Sequence, residues 1–166
     1  MAPAPHDAAT GSARLVRLVL EGEALTRLDP LLEADRAQAV HDLLQENRFA
    51  PTHAGASGPF VLRLAIIEGR LAFDIRDAHD TPQYLVALAL GPFRRLIKDY
   101  QLLVDSHAMA VQEGREARIQ AIDMGRRGLH NEGAQLLVER LAGKIAIDFP
   151  TARRLFTLVC VLHQRI

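Results

Sequence analysis

The sequence predicts an α+β domain in which an antiparallel sheet of about four strands is packed on one face by three helices. Two observations carry this prediction. Apolar residues alternate with polar ones in several short segments before residue 91, and after it they recur every three to four residues. Alternation is typical of a half-buried strand, whereas a period of 3.6 is typical of an amphipathic helix. The three helices are expected over residues 92 to 112, 115 to 142 and 150 to 164.

The length and composition fit one soluble domain. The chain has 166 residues, of which 49% are hydrophobic and 24% are charged, and these fractions are close to the averages for soluble domains. A core of this size folds without disulfides or metal ions. Residues 1 to 12 have little to bury and are expected to be a disordered leader, so that residues 13 to 166 form the single α+β domain.

The first strand and the first helix are predicted near the beginning of the chain. The segment RLVRLVLE, residues 14 to 21, is short, aliphatic and partly alternating, and therefore suits a strand. Asp29 and Pro30 then form a typical helix start, because aspartate caps free N–H groups and proline fits the first helical position. Apolar residues at helical spacing continue this helix to Asn47.

Alternation and turn residues predict the rest of the sheet. Residues 60 to 75 alternate on either side of a Glu68-Gly69 turn, and this pattern predicts a β-hairpin. Residues 84 to 90 alternate again and predict a third strand of an antiparallel meander. The segment FAPTHAGASGP is interpreted as a loop, and KIAIDF offers one further short strand.

Three glycines interrupt the longest helical segment. The apolar residues of segment 115 to 142 share one face if the segment is a single helix. Each interior glycine costs a helix about 1 kcal/mol relative to alanine, so Gly125, Gly128 and Gly133 argue for a break, a kink or a close approach of another element. The sequence leaves open whether this segment is one helix or breaks between Gly125 and Gly133.

The last helix is predicted to lie at the centre of the fold, because residues 155 to 162 are apolar almost all round it. Cys160 lies in this segment and is expected to be inert, since reactive thiols need electropositive, partly exposed surroundings. A single cysteine excludes an intramolecular disulfide and favours the reducing cytoplasm. The sequence also has no signal-peptide pattern and no apolar run of membrane-spanning length.

The charge balance restricts the class of partner. Lysine plus arginine and aspartate plus glutamate both total 20, so the chain lacks the general attraction to nucleic acids or anionic membranes that a basic protein has. Aromatic residues make up only 5% and tryptophan is absent, which leaves no evident stacking surface for single-stranded nucleic acid. Neither a nucleic acid nor a membrane is therefore expected as partner.

Three Arg-Arg pairs are candidates for binding a ligand. They are Arg94-Arg95, Arg126-Arg127 and Arg153-Arg154. The first and the third occupy the first turn of a predicted helix, where the helix dipole disfavours each cation by about 0.3 to 1 kcal/mol. Compensating negative charge is therefore needed. Internal carboxylates can supply it, and so can a phosphate, a carboxylate or a nucleic-acid backbone from outside the chain.

The segment GRRGLHNEGAQLL, which starts at Gly125, contains the candidates for acid–base chemistry. On a helix, Asp123, Arg126 and His130 lie on one flank. Histidine titrates near neutral pH, and a carboxylate can orient it. His130 is therefore the candidate acid or base, with Asp123 or Glu132 as the carboxylate that orients it.

Arg127 and Asn131 are expected on another flank of the same helix and are candidates for ligand binding. The segment contains no serine or cysteine nucleophile, and His130 has no further histidine or cysteine at metal-ligand spacing. No metal site and no cofactor are predicted. A phosphotransfer role for His130 is compatible with an exposed position on a helix beside a small residue.

Several segments together resemble a bacterial family. They are LLQENRFAP, EGRLAFDIR, LGPFRRLIKDY, AIDMGRRGLHNEGAQLLVERLAGKIAID and TARRLFTLVCVLH. In these segments, which extend over nearly all of the chain beyond residue 12, the sequence is similar to uncharacterised protein family 0262. The resemblance implies a single-domain cytosolic bacterial protein of this length, and it implies no activity, cofactor or catalytic residue.

Two functions are predicted as alternatives. The first is a small cytosolic binding or regulatory module that holds an anionic small molecule or a partner protein, with Arg94, Arg126 and Arg153 converging on one concavity. The second is a small enzyme that acts on a phosphorylated or carboxylated substrate through His130. That enzyme needs the His130 ring to reach an accessible pocket and a carboxylate within hydrogen-bond distance.

Overall fold

Strands and helices follow one another along the chain as an α+β fold, which confirms the predicted class. The computed structural model describes residues 12 to 21 and 29 to 163, so the predicted leader lies outside the described residues except for Ser12. The strands are β1 (Leu15–Leu20), β2 (Phe49–Pro51), β3 (Phe60–Ile67), β4 (Arg70–Asp77), β5 (Pro82–Ala89) and β6 (Ile145–Ile147). The α-helices are α1 (Pro30–Gln45), α2 (Arg94–Glu113), α3 (Glu116–Leu141) and α4 (Phe149–His163).

The main sheet has the strand order β1-β3-β4-β5. The predicted meander is present, because β4 pairs antiparallel with both β3 and β5. The sheet departs from the antiparallel prediction at its edge, where β1 pairs parallel to β3. A parallel pair needs a crossover connection, and the chain between these strands contains α1. The sheet is therefore mixed.

A second, two-stranded sheet joins distant parts of the chain. Residues 49 to 51, interpreted from the sequence as part of a loop, form β2 and pair antiparallel with β6. Two further hydrogen bonds support this junction: the hydroxyl of Thr52 donates to the carbonyl of Gly143 at 2.7 Å, and the backbone N–H of Arg48 donates to the hydroxyl of Thr151 at 3.0 Å. This sheet holds the end of α1 next to the beginning of α4.

The core lies between one face of the main sheet and the helices. The apolar residues that alternate along β3, β4 and β5 face it, and they include the fully buried Leu62, Leu64, Phe73 and Ile75. Residues 155 to 162 of α4 are all buried, which agrees with the predicted central position of this helix. Helix α4 contacts the other three α-helices and β3. None of the described helices combines the length and apolar character needed to cross a membrane.

The segment with three glycines is one uninterrupted helix, α3. A close approach of α4 accounts for one of them, because a Cβ atom added to Gly133 would lie 2.2 Å from two ring atoms of Phe156. A Cβ at Gly125 would make an ordinary contact with Leu103 at 3.6 Å, and a Cβ at Gly128 would meet no atom within 4 Å. Of the alternatives that the sequence left open, the structure has close packing at Gly133 and no break in the helix.

Candidate functional site

A pocket of about 390 Å³ lies between α1, α3 and the beginning of α4. We call it the arginine pocket. Its charged lining residues are Asp35 and Asp42 from α1, Arg126 and Arg127 from α3, and Arg153 and Arg154 from α4. His130 and Phe149 also line it. Four guanidinium groups thus face two carboxylates, which leaves an excess of two positive charges in the lining.

Two of the three predicted arginine pairs converge on this pocket, and the third lies elsewhere. The Arg95 guanidinium pairs with Glu132 at 2.6 Å and with Asp99 at 3.4 Å on an exposed surface between α2 and α3. Arg94 lies beside Gly69 in the turn between β3 and β4. The predicted convergence therefore holds for Arg126 and Arg153, and it does not include Arg94.

A buried hydrogen-bond network anchors one wall of the pocket. The Asp35 carboxylate accepts a hydrogen bond from the Tyr100 hydroxyl and one from Arg126 Nη1. Arg126 Nη2 donates in addition to Asp123 Oδ1 at 3.1 Å. The side chains of Asp35 and Arg126 are only 12% and 17% exposed. We call these four residues the Asp35 network, and it fixes the Arg126 guanidinium in one position.

The network also shifts the pKa values of its members. Burial lowers the pKa of Arg126, but the hydrogen bonds to Asp35 and Asp123 and the charge of Asp35 offset this and hold that pKa above its ordinary value. Burial raises the pKa of the Tyr100 hydroxyl, and the charge and hydrogen bond of Asp35 raise it further. At neutral pH the network thus combines a charged guanidinium with a protonated phenol.

His130 lies almost completely inside the fold, on the wall of the arginine pocket. The residue is 4% exposed, and its ring lies 5.3 Å from the Tyr100 ring, centroid to centroid. Burial lowers the pKa of His130 to about 4; the Asp35 charge opposes this shift, whereas the charges of Arg153 and Arg126 add to it. The imidazole is therefore neutral at pH 7. Its Nε2 atom is buried and has no hydrogen-bond partner among the described residues, and the same holds for Arg126 Nε.

The carboxylates predicted to orient His130 have other partners. Asp123 accepts a hydrogen bond from Arg126, and Glu132 accepts one from Arg95. Asp35 acts on His130 through its charge, and its hydrogen bonds go to other residues. Within the described part of the chain, His130 is thus a neutral histidine on the pocket wall without a hydrogen-bonded carboxylate.

The remaining arginines are held to different degrees. Arg153 Nε donates to the side-chain oxygen of Asn131 at 2.9 Å. Burial lowers the pKa of Arg153, and so do the charges of Arg126, Arg127 and Arg154. Arg127 is exposed and has no ion-pair partner among the described residues. No carboxylate of a described residue is therefore bonded to Arg127 or Arg153 to neutralise its positive charge.

The first turn of α4 has its own internal partners. Asp148 caps it, since its carboxylate accepts from the backbone N–H of Thr151 at 3.0 Å and its carbonyl from that of Ala152 at 3.0 Å. Arg154 donates to the carbonyl of Glu46 at 2.9 Å and to that of Asp42 at 3.3 Å, at the end of α1. The polar groups that this end of α4 presents to the pocket are thus guanidinium side chains, since the N–H groups of Thr151 and Ala152 are already paired with Asp148.

Three residues of the site are not predicted from the sequence: Asp35, Asp42 and Tyr100. Tyr100 lies in the core, and its hydroxyl donates a hydrogen bond to Asp35. A signal for Asp35 is present in the sequence: it lies at helical spacing between the buried Leu32 and Ala39. A charged residue on a buried helix face needs a partner, because an unpaired buried charge is costly.

The depressed pKa of His130 predicts acid sensitivity. The ordinary pKa is 6.5 and that in the folded protein is about 4, so between these values the unfolded chain binds a proton that the folded protein does not. The contribution to stability is complete above pH 6.5 and is lost as the pH falls towards 4. From pH 7.5 to 4.5 we expect this group alone to lower the free energy of unfolding by roughly 2 to 3 kcal/mol.

Urea unfolding of the wild type and of His130→Gln at both pH values measures this contribution. The glutamine variant should lose less stability than the wild type over the same interval, because glutamine does not titrate. Equal losses in the two proteins would exclude His130 as the source.

The described residues contain no group of three or more His, Cys, Asp or Glu side chains placed to hold a metal ion. The arginine pocket has guanidinium groups on two walls and a neutral histidine between them.

Comparison with known proteins identifies the family. The model of Uncharacterised protein family (UPF0262) matches residues 12–165. A UPF0262 protein of Granulibacter bethesdensis is 68% identical, with 93% of this chain and 92% of the relative covered. Relatives from Acidiphilium cryptum and Rhodopseudomonas palustris are 58% and 49% identical, and the matches cover 92% and 98% of this chain and 93% and 98% of the relatives, respectively. No solved structure matches the chain. The resemblance seen in the sequence is thus confirmed, and the chain belongs to Uncharacterised protein family (UPF0262).

Proposed function

We propose that the protein is a small binding module that holds an anionic ligand in the arginine pocket. One observation carries the proposal: His130 Nε2 and Arg126 Nε are buried and unpartnered among the described residues, and both residues line the pocket that has an excess of positive charge. A buried polar atom without a hydrogen bond costs about 1 to 3 kcal/mol. An oxyanion removes that cost if a small shift of the covering side chains lets it accept from these two atoms.

The state of the other arginines supports the same function. Burial and neighbouring cations lower the pKa of Arg153, so the charges in the pocket repel one another. A bound anion relieves this repulsion. It also accepts charge-assisted hydrogen bonds from Arg127 and Arg153, which are stronger than those between neutral groups.

The shape of the site favours a small molecule over a protein partner. A volume of about 390 Å³ falls in the range of about 300 to 1,000 Å³ that is typical of small-ligand pockets. We propose the cytoplasm as the compartment, because the single cysteine, Cys160, is a buried free thiol.

The positions of the carboxylates favour binding over acid–base catalysis. An enzyme of the predicted kind needs a carboxylate that orients His130, and both candidates, Asp123 and Glu132, form hydrogen bonds with arginines. A pKa of about 4 also leaves His130 without the proton that a general acid would donate at pH 7.

Titration with inorganic phosphate in a low-salt buffer tests the proposal, with binding followed by calorimetry and by the melting temperature. We expect Arg153→Gln to weaken phosphate binding by about tenfold or more, since hydrogen bonds to charged groups contribute about 1.5 to 3 kcal/mol. The matched control is Arg95→Gln, because Arg95 lies outside the pocket and pairs with Glu132.

The control variant should bind phosphate as the wild type does and show the same rise in melting temperature. The melting temperature of each variant without phosphate verifies that it is folded. Absence of phosphate binding in the wild type, or an equal loss in Arg95→Gln and Arg153→Gln, would contradict an anion site at this pocket.

A further inference from the structure

The α1 wall of the arginine pocket carries hydrogen-bond acceptors instead of cations. Gln38 and Asp42 both line the pocket, and Gln38 Nε2 donates to Asp42 Oδ1 at 2.8 Å. The other carboxylate oxygen, Asp42 Oδ2, receives no hydrogen bond from the described residues. This oxygen repels an anion, but it is a strong acceptor for a hydroxyl group. The pocket therefore combines donors on α3 and α4 with a free acceptor on α1.

The pocket is also larger than a single inorganic anion. A space of about 390 Å³ accommodates a small organic molecule. The ring of Phe149, a residue 45% exposed, lines the same space and offers an apolar surface to the carbon atoms of such a molecule. A ligand with an anionic end and a hydroxyl-bearing end matches this distribution of groups.

The number of donors favours a phosphate as the anionic end. Arg127 and Arg153 line the α3 and α4 walls together with Arg126 and His130, whose buried Nε and Nε2 atoms have no hydrogen-bond partner among the described residues. A phosphate monoester offers three terminal oxygens as strong acceptors, whereas a carboxylate offers two. Neutral imidazole in the tautomer with the proton on Nε2 donates to one of these oxygens.

We infer that the ligand of the arginine pocket is a phosphorylated polyhydroxy compound, that is, a sugar phosphate or the ribose phosphate part of a nucleotide. Its phosphate accepts hydrogen bonds from the arginines and His130, and one of its hydroxyl groups donates to Asp42 Oδ2. This inference rests on the proposed function and specifies the ligand class of the same site.

Calorimetric titration at pH 7.5 with inorganic phosphate, ribose 5-phosphate and unphosphorylated ribose tests the inference. We expect the wild type to bind ribose 5-phosphate at least tenfold more tightly than inorganic phosphate and to show no measurable binding of ribose. In Asp42→Ala, the ratio of the affinity for ribose 5-phosphate to that for inorganic phosphate should fall to about one. Because the substitution removes a negative charge, it should leave the affinity for inorganic phosphate unchanged or increase it.

Asp42→Ala is suited to this test because Arg154 contacts only the backbone carbonyl of Asp42, which alanine keeps. AMP, titrated in parallel, separates the two sources of a ribose phosphate. If AMP binds more tightly than ribose 5-phosphate, the site is assigned to nucleotides. If AMP binds more weakly, the site is assigned to free sugar phosphates. Both outcomes support the inference.

The possible failures are distinguishable. If the wild type binds inorganic phosphate and ribose 5-phosphate equally, the inference is wrong and the proposed anion site stands. If Asp42→Ala weakens the binding of both compounds to the same extent, Asp42 acts on the whole pocket and the inference is again wrong. If the wild type binds neither compound, both the inference and the proposed function are overturned.

Discussion

Gly133→Ala is expected to lower the free energy of unfolding by about 3 kcal/mol or more, which is at the upper end of the effects of overpacking a core. The added methyl group would lie 2.2 Å from two atoms of the Phe156 ring, far inside any van der Waals contact. Phe156 is fully buried in α4, so its ring moves only if its close-packed neighbours also move. Denaturation in guanidinium chloride measures the loss.

The same substitution at Gly128 is the matched control. This glycine lies in the middle of the same helix, and a Cβ there would meet nothing within 4 Å. Alanine removes the cost of an interior glycine, so Gly128→Ala is expected to raise the free energy of unfolding by up to about 1 kcal/mol. Opposite changes in the free energy of unfolding at these two positions would identify close helix packing as the reason for a glycine at position 133. A similar change at both positions would refute this explanation.

Asp35→Ala is expected to lower the free energy of unfolding by about 4 kcal/mol, the cost typical of removing one partner of a buried ion pair. The substitution takes the acceptor from the Tyr100 hydroxyl and the main counterion from Arg126. Both groups are then left in the interior, where an unsatisfied polar group is costly. Urea unfolding of the variant and the wild type at pH 7.5 measures the difference.

Asp123→Ala is the control for this prediction, because Asp123 is the second carboxylate on the same guanidinium. It contacts Arg126 at 3.1 Å, but its side chain is 32% exposed whereas that of Asp35 is 12% exposed. Solvent screens such a pair, and we expect a loss of at most about 1 kcal/mol. If the two variants lose the same stability, the burial of Asp35 is not what makes its ion pair strong.

Local sequence patterns predict most elements of this fold, and they fail where pairing depends on distant residues. Alternation in β3, β4 and β5 and the helical period of α2 to α4 are properties of each segment alone. The parallel direction of β1 depends on the crossover through α1. Strand β2 has only three residues and pairs with β6 from the other end of the domain. Neither feature has a signature within its own segment.

The candidate site shows the same limit. A helical wheel places Asp123, Arg126 and His130 on one flank of α3, and the structure brings Asp123 onto Arg126 as that arrangement suggests. The wheel contains no information about α1, so it does not reveal that Asp35 also binds Arg126. Similarly, the Arg94-Arg95 pair resembles the other two pairs in sequence, and only the packing of α2 separates it from them.

The pairing of β2 with β6 has a consequence for when the site comes into existence. Bringing these strands together closes a long loop of chain, and such non-local contacts form late in folding because the loss of chain entropy comes first. This sheet holds the end of α1 beside the beginning of α4. In a chain that has not yet formed it, the arginines are present but do not line one pocket. The proposed ligand of the arginine pocket would therefore bind only the completed fold and, by mass action, stabilise that state alone.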